Sequence, residues 1–323
     1  DDDREFTGWG IYFMNPFLLK SVRRLAAFGV FLLGVVTLLF FLLQLTGDPA
    51  EVMVGDSGTP EQIEQVRAQY GFDRPLIEQY GRYLVRLSVL DFGVSFANDQ
   101  PALNLVAERL GPTLLLTLLS IIATLLIAIP LGAWLGIRPD AAAQQAGGAI
   151  VYMAQGVPGF VAGLLLIQLF AVQLRWLPSI GHDSLASWIL PTLTLSSFLA
   201  PKLTRVIAIN VTEAMREDYI RTARANGSGL QNLLWRHALP NALLGATALV
   251  GAQFAFLISG AVITEVIFAW PGLGWLLVKS TTTLDFPVIQ AAVFVIAVLV
   301  FIVNALTDIL FVYIDPRLRG QAS

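Results

Sequence analysis

Five stretches of this chain, near residues 25–45, 112–137, 146–174, 241–268 and 287–314, are almost unbroken apolar runs, each about 20 residues or longer. A bilayer core about 30 Å thick is crossed by about 20 residues of α-helix. Charged residues make up only 13% of the 323 positions, where an ordinary soluble domain carries about 25%. The mean hydropathy is +0.70. Too little polar surface remains to cover a water-soluble body of this size, so the sequence predicts an all-α polytopic membrane protein.

Other totals remove further classes. There is no cysteine, which excludes disulfides, thiolate zinc sites and cysteine-held iron–sulfur clusters. The two histidines, His182 and His237, are far apart and carry no ligand-spacing motif, so no metal site is expected. His182-Asp183 reads as a solvated turn. The formal net charge of −3 gives no electrostatic ground for a nucleic-acid partner.

Residues 1–13 are acidic, aromatic and unpatterned, and read as a tag or start-site extension. Residues 14–45 then form an N-terminal tail and a first span. Lys20, Arg23 and Arg24 precede the first apolar run, which is too long for a signal-peptide core and has no small-residue cleavage site after it. It is read as an uncleaved span with a cytoplasmic N-terminus. Short segments on that side hold twelve basic residues, among them Arg138, Lys202, Arg205, Arg216, Arg236, Arg317 and Arg319, against only Arg175 and Lys279 opposite. This positive-inside bias requires an even number of spans. A sixth must therefore lie between Trp188 and Asn210, despite Pro191, Pro201 and Lys202; a lysine near a helix end can snorkel to the interface. The expected topology is six transmembrane helices, N-in and C-in, with a cytoplasmic tail at 315–323.

Residues 46–104 are the one long polar stretch on the outer side, with nine acidic residues against four basic. Thr59-Pro60-Glu61-Gln62 is a capping box with proline at the first helical position, predicting a helix over Pro60–Tyr70 stopped by Gly71. Pro75 can start a second, with Ile77, Tyr80, Leu84 and Leu87 along one face. This small external helical subdomain reads either as a solvated cap or as a docking surface. Residues 105–314 form the five-helix core. Within it Pro130, Gly132 and Gly136, and Gln155-Gly156-Val157-Pro158-Gly159, interrupt the spans. Irregular backbone at membrane depth marks either a translocation path or ordinary kinking and close packing.

The most informative segment is the cytoplasmic loop 210–240. It reads Thr212-Glu213-Ala214-Met215-Arg216-Glu217-Asp218-Tyr219-Ile220-Arg221-Thr222-Ala223-Arg224-Ala225-Asn226-Gly227, then Ser228-Gly229 and Leu230 to Asn241. Helical periodicity runs to Asn226, Gly227 and Gly229 break it, and a second short helix runs to Pro240. A charged helix–glycine–helix hairpin of this length exceeds what a connection needs, so a cytoplasmic protein is expected to read it. The alternative is a loop charged only to obey the positive-inside rule.

This segment resembles the EAA loop of ATP-binding-cassette (ABC) transporter permeases, whose pattern is Glu-Ala-Ala, three residues, Gly, nine residues, Ile, one residue, Leu-Pro. With Gly227 as anchor, Ala223 falls on the second alanine, and Leu239 and Pro240 are in register. Arg221, Thr222 and His237 stand where glutamate, alanine and isoleucine are expected. These departures fit the dipeptide/oligopeptide/nickel importer type. Further blocks are similar to the same type: Thr46-Gly47-Asp48-Pro49, Tyr70-Gly71-Phe72-Asp73-Arg74-Pro75, Leu90-Asp91-Phe92-Gly93-Val94-Ser95, Glu265-Val266-Ile267-Phe268-Ala269-Trp270-Pro271-Gly272-Leu273-Gly274 and Asp315-Pro316-Arg317-Leu318-Arg319.

The resemblance implies a non-catalytic permease subunit in the bacterial cytoplasmic (inner) membrane. No G-x-x-x-x-G-K-[ST] phosphate loop occurs, so no cofactor is expected in this chain. ATP and Mg would be bound by two separate ABC ATPase subunits. Arg221, Thr222, Ala223, Arg224, Asn226, Gly227, His237, Leu239 and Pro240 would couple to them. Other implied partners are a related but different second permease chain, a periplasmic or extracellular binding protein and membrane lipid. Glu265, Trp270, Pro271 and Gly272 would form an external gate or re-entrant turn, and Asp308 reads as structural. The implied cargo is a di- or oligopeptide, with nickel, glutathione or a sugar as alternatives; no residue names it. A secondary transporter should show an inverted repeat, and none is seen. An intramembrane hydrolase needs a nucleophile–base or metal pair, and neither histidine is placed for that.

Overall fold

The computed structural model describes residues 16–55 and 58–314; the tag-like segment 1–13 and the tail 315–323 lie outside them. Its helices are α1 (Pro16–Thr46), α2 (Pro49–Val54), α3 (Pro60–Tyr70), α4 (Leu76–Ser88), α5 (Ala102–Ile137), α6 (Ala142–Gln155), α7 (Gly159–Leu166), α8 (Leu185–Ala214), α9 (Asp218–Ala225), α10 (Leu230–Asn232), α11 (Leu239–Ile267), α12 (Leu273–Thr282) and α13 (Phe286–Ile314). π-helical turns extend α7 over Ile167–Gln173 and join α10 to α11 over Leu233–Ala238. Among the described residues there is no strand, only an isolated Val94–Pro101 bridge.

Side-chain contacts fix the direction of each long helix. Leu116 of α5 clusters with Leu195 and Leu199 of α8, and Ala128 and Ala133 with Leu203, Ile207 and Val211 further down. Both numbers rise together, so α5 and α8 run parallel. Helix α11 is antiparallel to both: Leu239 and Ala242 join the lower cluster, Leu257 and Ala261 the upper. Ala291 and Ala292 of α13 pack with Ala102 and Val106 at the start of α5, so α13 descends with α5. Helix α1 opposes α13, with Phe28 stacked on Phe301 and Leu43 against Phe286 and Ile289.

Two parallel helices joined in sequence require a return crossing, and α6–α7 supplies it. Gly147 lies against Trp134 and Leu135 at the foot of α5, whereas Gly163 lies against Thr194 and Phe268 near the top. The crossing is bent by 104° between α6 and α7, at the Gly156–Pro158 interruption. Six crossings put both ends of the bundle on one side, as the charge distribution requires. The sixth span is α8, and it stays helical through Pro191 and Pro201.

Two breakers in α5 prove to be packing devices. A Cβ on Gly132 would lie 2.8 Å from the Ile207 side chain and from the Thr204 carbonyl oxygen, and one on Gly136 would overlap the Ala208 carbonyl oxygen. Bare backbone here lets α5 and α8 approach closely, the close-packing alternative.

The external subdomain forms as its caps dictate. The Thr59 hydroxyl accepts from the Gln62 amide at 3.3 Å, the Thr59 amide donates to the Gln62 side chain at 3.0 Å, and Gly71 ends α3 at φ +74°. Tyr80, Tyr83, Leu84 and Leu87 of α4 pack on Val36 and Phe40 of α1. Ile77 does not join them and is 74% exposed, because contact with α1 starts only at Gln79 and Tyr80, bonded to Gln44 and Thr37. The loop after α4 is fastened to the bundle by buried Asp285, which accepts from the Ser95 hydroxyl at 2.5 Å and the Phe96 amide at 3.1 Å.

Candidate functional site

The segment 210–240 is a compact hairpin at the basic end of the bundle. One continuous helix to Asn226 is not what forms: α8 stops at Ala214, and extended Glu217 (ψ 154°) turns the chain into α9. The turn brings Ile220 and Ala223 onto Ala214, Leu233 and Ala238, a small core that a straight helix could not close. A Schellman motif ends α9, with the Gly227 amide donating to the Arg224 carbonyl at 3.0 Å and the Ser228 amide to that of Ala223 at 3.1 Å. It requires the left-handed φ of +84° at Gly227.

Arg221, Thr222, Arg224, Asn226 and Gly227 are consequently exposed together on the outer side and tip of α9, while Ala223 faces inward. Arg221 reaches Asp218 at 3.0 Å, with both side chains mostly in solvent, so the pair contributes little. The Arg224 and Asn226 side chains have no partner among the described residues. Their donors are exposed to solvent.

His237 and Leu239 sit behind this surface rather than on it, whereas Pro240 is exposed. His237 is half-buried and its carbonyl accepts from the Asn241 side chain at 3.1 Å. Leu239 is buried in the bundle. The second helix does not end at Pro240, which occupies the first turn of α11. Proline has no N–H for the carbonyl four residues back, and the preceding π turn, with its wider spacing, carries the helix through. Asn241 also donates to the Tyr219 hydroxyl at 3.1 Å, tying α9 to α11. Nothing in the spacing of the sequence signals that tie.

At the opposite end, the 265–275 block forms a sharp return between α11 and α12. Glu265 is fully buried. Its carboxyl accepts from the Thr113 hydroxyl at 2.6 Å and from the amides of Gly274 and Trp275 at 2.7 and 3.1 Å. The last two are unpaired amides in the first turn of α12, so Glu265 serves as that helix's cap. Thr113 in turn accepts from the Leu273 amide at 2.8 Å, and the Trp270 indole donates to the Pro112 carbonyl at 3.0 Å. Gly272 is buried where a Cβ would overlap the Glu265 carboxyl, and Pro271 is half-buried beside it. The loop is thus bolted to α5: any outward opening must carry α5 with it. Among the described residues no cluster of metal-ligating side chains forms. His182 is half-exposed, 3.8 Å from Asp183.

Comparisons with known proteins agree with this architecture. Residues 128–320 match the family described as binding-protein-dependent transport system inner membrane component, and residues 14–117 match the N-terminal family of the same systems. The chain is 35% identical over 306 residues to the glutathione transport system permease protein GsiC of Salmonella paratyphi A, covering 95% of this chain and 99% of that one. The GsiC protein of Escherichia coli K12 is 36% identical over 293 residues, covering 89% and 94%. A solved inward-facing form of the MetNI methionine ABC transporter shares the fold, with a TM-score of 0.53 at 19% identity over 65% of this chain and 96% of that one. The chain therefore belongs to the binding-protein-dependent transport system inner membrane components: it is a multi-pass ABC importer permease of the bacterial inner membrane, of the dipeptide/oligopeptide/nickel type.

Proposed function

We propose that this permease imports a short peptide delivered by a binding protein, and that α9 is the helix through which two separate ATPase subunits drive it. The observation that carries the coupling reading is the build of α9. An exposed polar end holding Arg221, Thr222, Arg224, Asn226 and Gly227 stands on a buried Ile220–Leu233–Ala238 base, so a push on its surface is passed to α8 and α11 together. ATP and Mg belong to the ATPases; this chain carries no phosphate-loop motif and acts without catalytic residues of its own. Closure of the ATPases on ATP would tilt the spans between inward- and outward-open arrangements. A second permease, related but different, completes the path. Within the peptide class, the names of the GsiC relatives favour glutathione, itself a tripeptide. Glu265, Trp270, Pro271 and Gly272 form the outer closure.

Replacing Gly227 with valine tests the coupling. Left-handed φ costs a β-carbon-bearing residue about 1–2 kcal/mol, and a Cβ there meets nothing within 4 Å in this chain. The bundle should fold as before, while ATPase co-purification and ATP-driven uptake fall together. Normal assembly with full uptake would refute the assignment.

A further inference from the structure

Lys202 departs from the expectation of a lysine near a helix end snorkelling to the interface. Its ammonium turns the other way, lying 3.9 Å from the ring centroid of Phe198 and 5.9 Å from that of Phe256. Those two rings are stacked at 4.7 Å. Helical side chains lean toward the helix N-terminus, which for α8 is the external end. Phe198 lies ten residues, or about 15 Å of helix, below the Trp188 level, and Trp188 packs against Trp270 of the outer loop. With the Trp188–Trp270 level taken as the outer interface, where tryptophans concentrate, the cation sits near mid-depth of a bilayer core about 30 Å thick.

A cation at that depth is costly unless it faces water or a partner. Among the described residues no carboxylate pairs with Lys202. The aromatic faces offset part of the cost, but they leave the ammonium's hydrogen-bond donors unused. Lys202 is only partly covered, and Phe256 is 54% exposed, so the group opens onto the uncovered side of α8 between α6 and α11. Three residues on, Arg205 lies on the same side, 5.0 Å over the ring of Tyr152 in α6. Tyr152 lies in the last turn of α6, four residues before the Gly156–Pro158 break, and residues 152–158 are exposed. Non-helical backbone survives at membrane depth only against protein or a water-filled cavity. Two independent features, an unpaired cation and a broken helix, thus mark one face.

We propose that Lys202, with Arg205 below it, is a cationic station on the translocation path that takes a carboxylate of the passing substrate. This rests on the peptide reading above, since every peptide presents a C-terminal carboxylate and glutathione presents two. The aromatic pair holds the ammonium in place yet competes weakly, so a carboxylate can bind and leave.

The test uses the whole importer, with its second permease, ATPases and binding protein, in proteoliposomes. Lys202→Gln should lower ATP-driven uptake of radiolabelled glutathione about tenfold, the scale of one charge-assisted hydrogen bond. Binding-protein-stimulated ATP hydrolysis should persist, and Lys202→Arg should keep most of the uptake. Full uptake by Lys202→Gln overturns the proposal. A second arm exploits the cysteine-free chain: Lys202→Cys in the intact complex is treated with an anionic, membrane-impermeant methanethiosulfonate. Labelling supports a water-filled path at this position; no labelling means a face sealed by lipid or the second permease, and overturns it. If the wild-type importer fails to move glutathione or dipeptides, the peptide reading falls, and the labelling arm still decides where Lys202 faces.

Discussion

At the scale of single residues, the outer loop shows what a buried polar group does when every partner is supplied. Glu265 satisfies two helix-start amides and one hydroxyl, so Thr113→Val removes a donor to Glu265 and the acceptor of the Leu273 amide at once. Leaving such groups unpaired costs about 1–3 kcal/mol each. Thermal unfolding in detergent should show Thr113→Val well below wild type, with Gly272→Ala destabilised by a further mechanism, overpacking worth about 1–3 kcal/mol. Wild-type midpoints in both would refute the anchor. In the external subdomain the arithmetic is smaller and depends on pH. Hydrogen bonds from Arg86, with help from the Gly93 amide, hold the Asp91 carboxyl below the usual carboxylate range. A depressed folded pKa gives stability that is fully present above the ordinary value of about 4 and fades as pH falls through the lower folded value. The pair is about half exposed, so its share is about 0.5 kcal/mol. The stability gap between wild type and Asp91→Asn should be constant from pH 7 to 5 and close in stronger acid; a gap independent of pH would refute the ion pair as its source.

At the scale of elements, the sequence speaks clearly where one short motif fixes one backbone state. The capping box at Thr59, the stop at Gly71 and the turn at Gly227 all form where the residue pattern places them. It is silent where packing decides. The turn at Glu217 carries no glycine or proline; it exists because Ile220 must fold back onto Leu233, a contact between residues whose neighbourhood only the tertiary fold creates. Pro240 misleads for the related reason that a π turn, invisible to a 3.6-residue period, absorbs it. The candidate coupling surface was therefore legible as a segment, but not its division into a presenting face and a supporting base. That division can be tested. Ile220→Ala removes the base, at about 2–4 kcal/mol for a buried isoleucine, and leaves the exposed face unchanged. Hydrogen exchange should quicken over residues 218–228 while protection of α5 and α8 holds, and ATP-driven uptake should fall although every presented side chain remains. Unchanged exchange in the hairpin would show that α9 is held by something other than this base.

At the scale of the whole molecule, the same few charges that reveal topology in the sequence also separate its surfaces: an acidic subdomain outside, a basic hairpin inside, and Lys202 and Arg205 stacked on aromatic rings between. The α5–α8 pair joins the two ends, since α5 carries the Glu265 anchor at its top and α8 leads into the 210–240 hairpin at its foot. Hydrophobic burial cannot hold helices together in lipid as it does in water; close approach of small residues does. At Gly132 and Gly136 the two helices leave no room for a Cβ, and at Gly136 the obstacle to a side chain is the Ala208 backbone itself, which cannot rotate away. Gly136→Val should therefore force the helices apart, at about 3 kcal/mol or more, the upper range for overpacking. Because one rigid pair spans both ends, the damage should reach beyond the mutated turn: protection at the Thr113–Glu265 anchor and at α9 should drop together. Gly148→Ala in α6, where a Cβ meets nothing within 4 Å, supplies the matched control and should unfold like wild type. If Gly136→Val loosens only its own neighbourhood, α5 and α8 do not move as one body, and the proposed push on the hairpin would reach the outer loop through α11 instead.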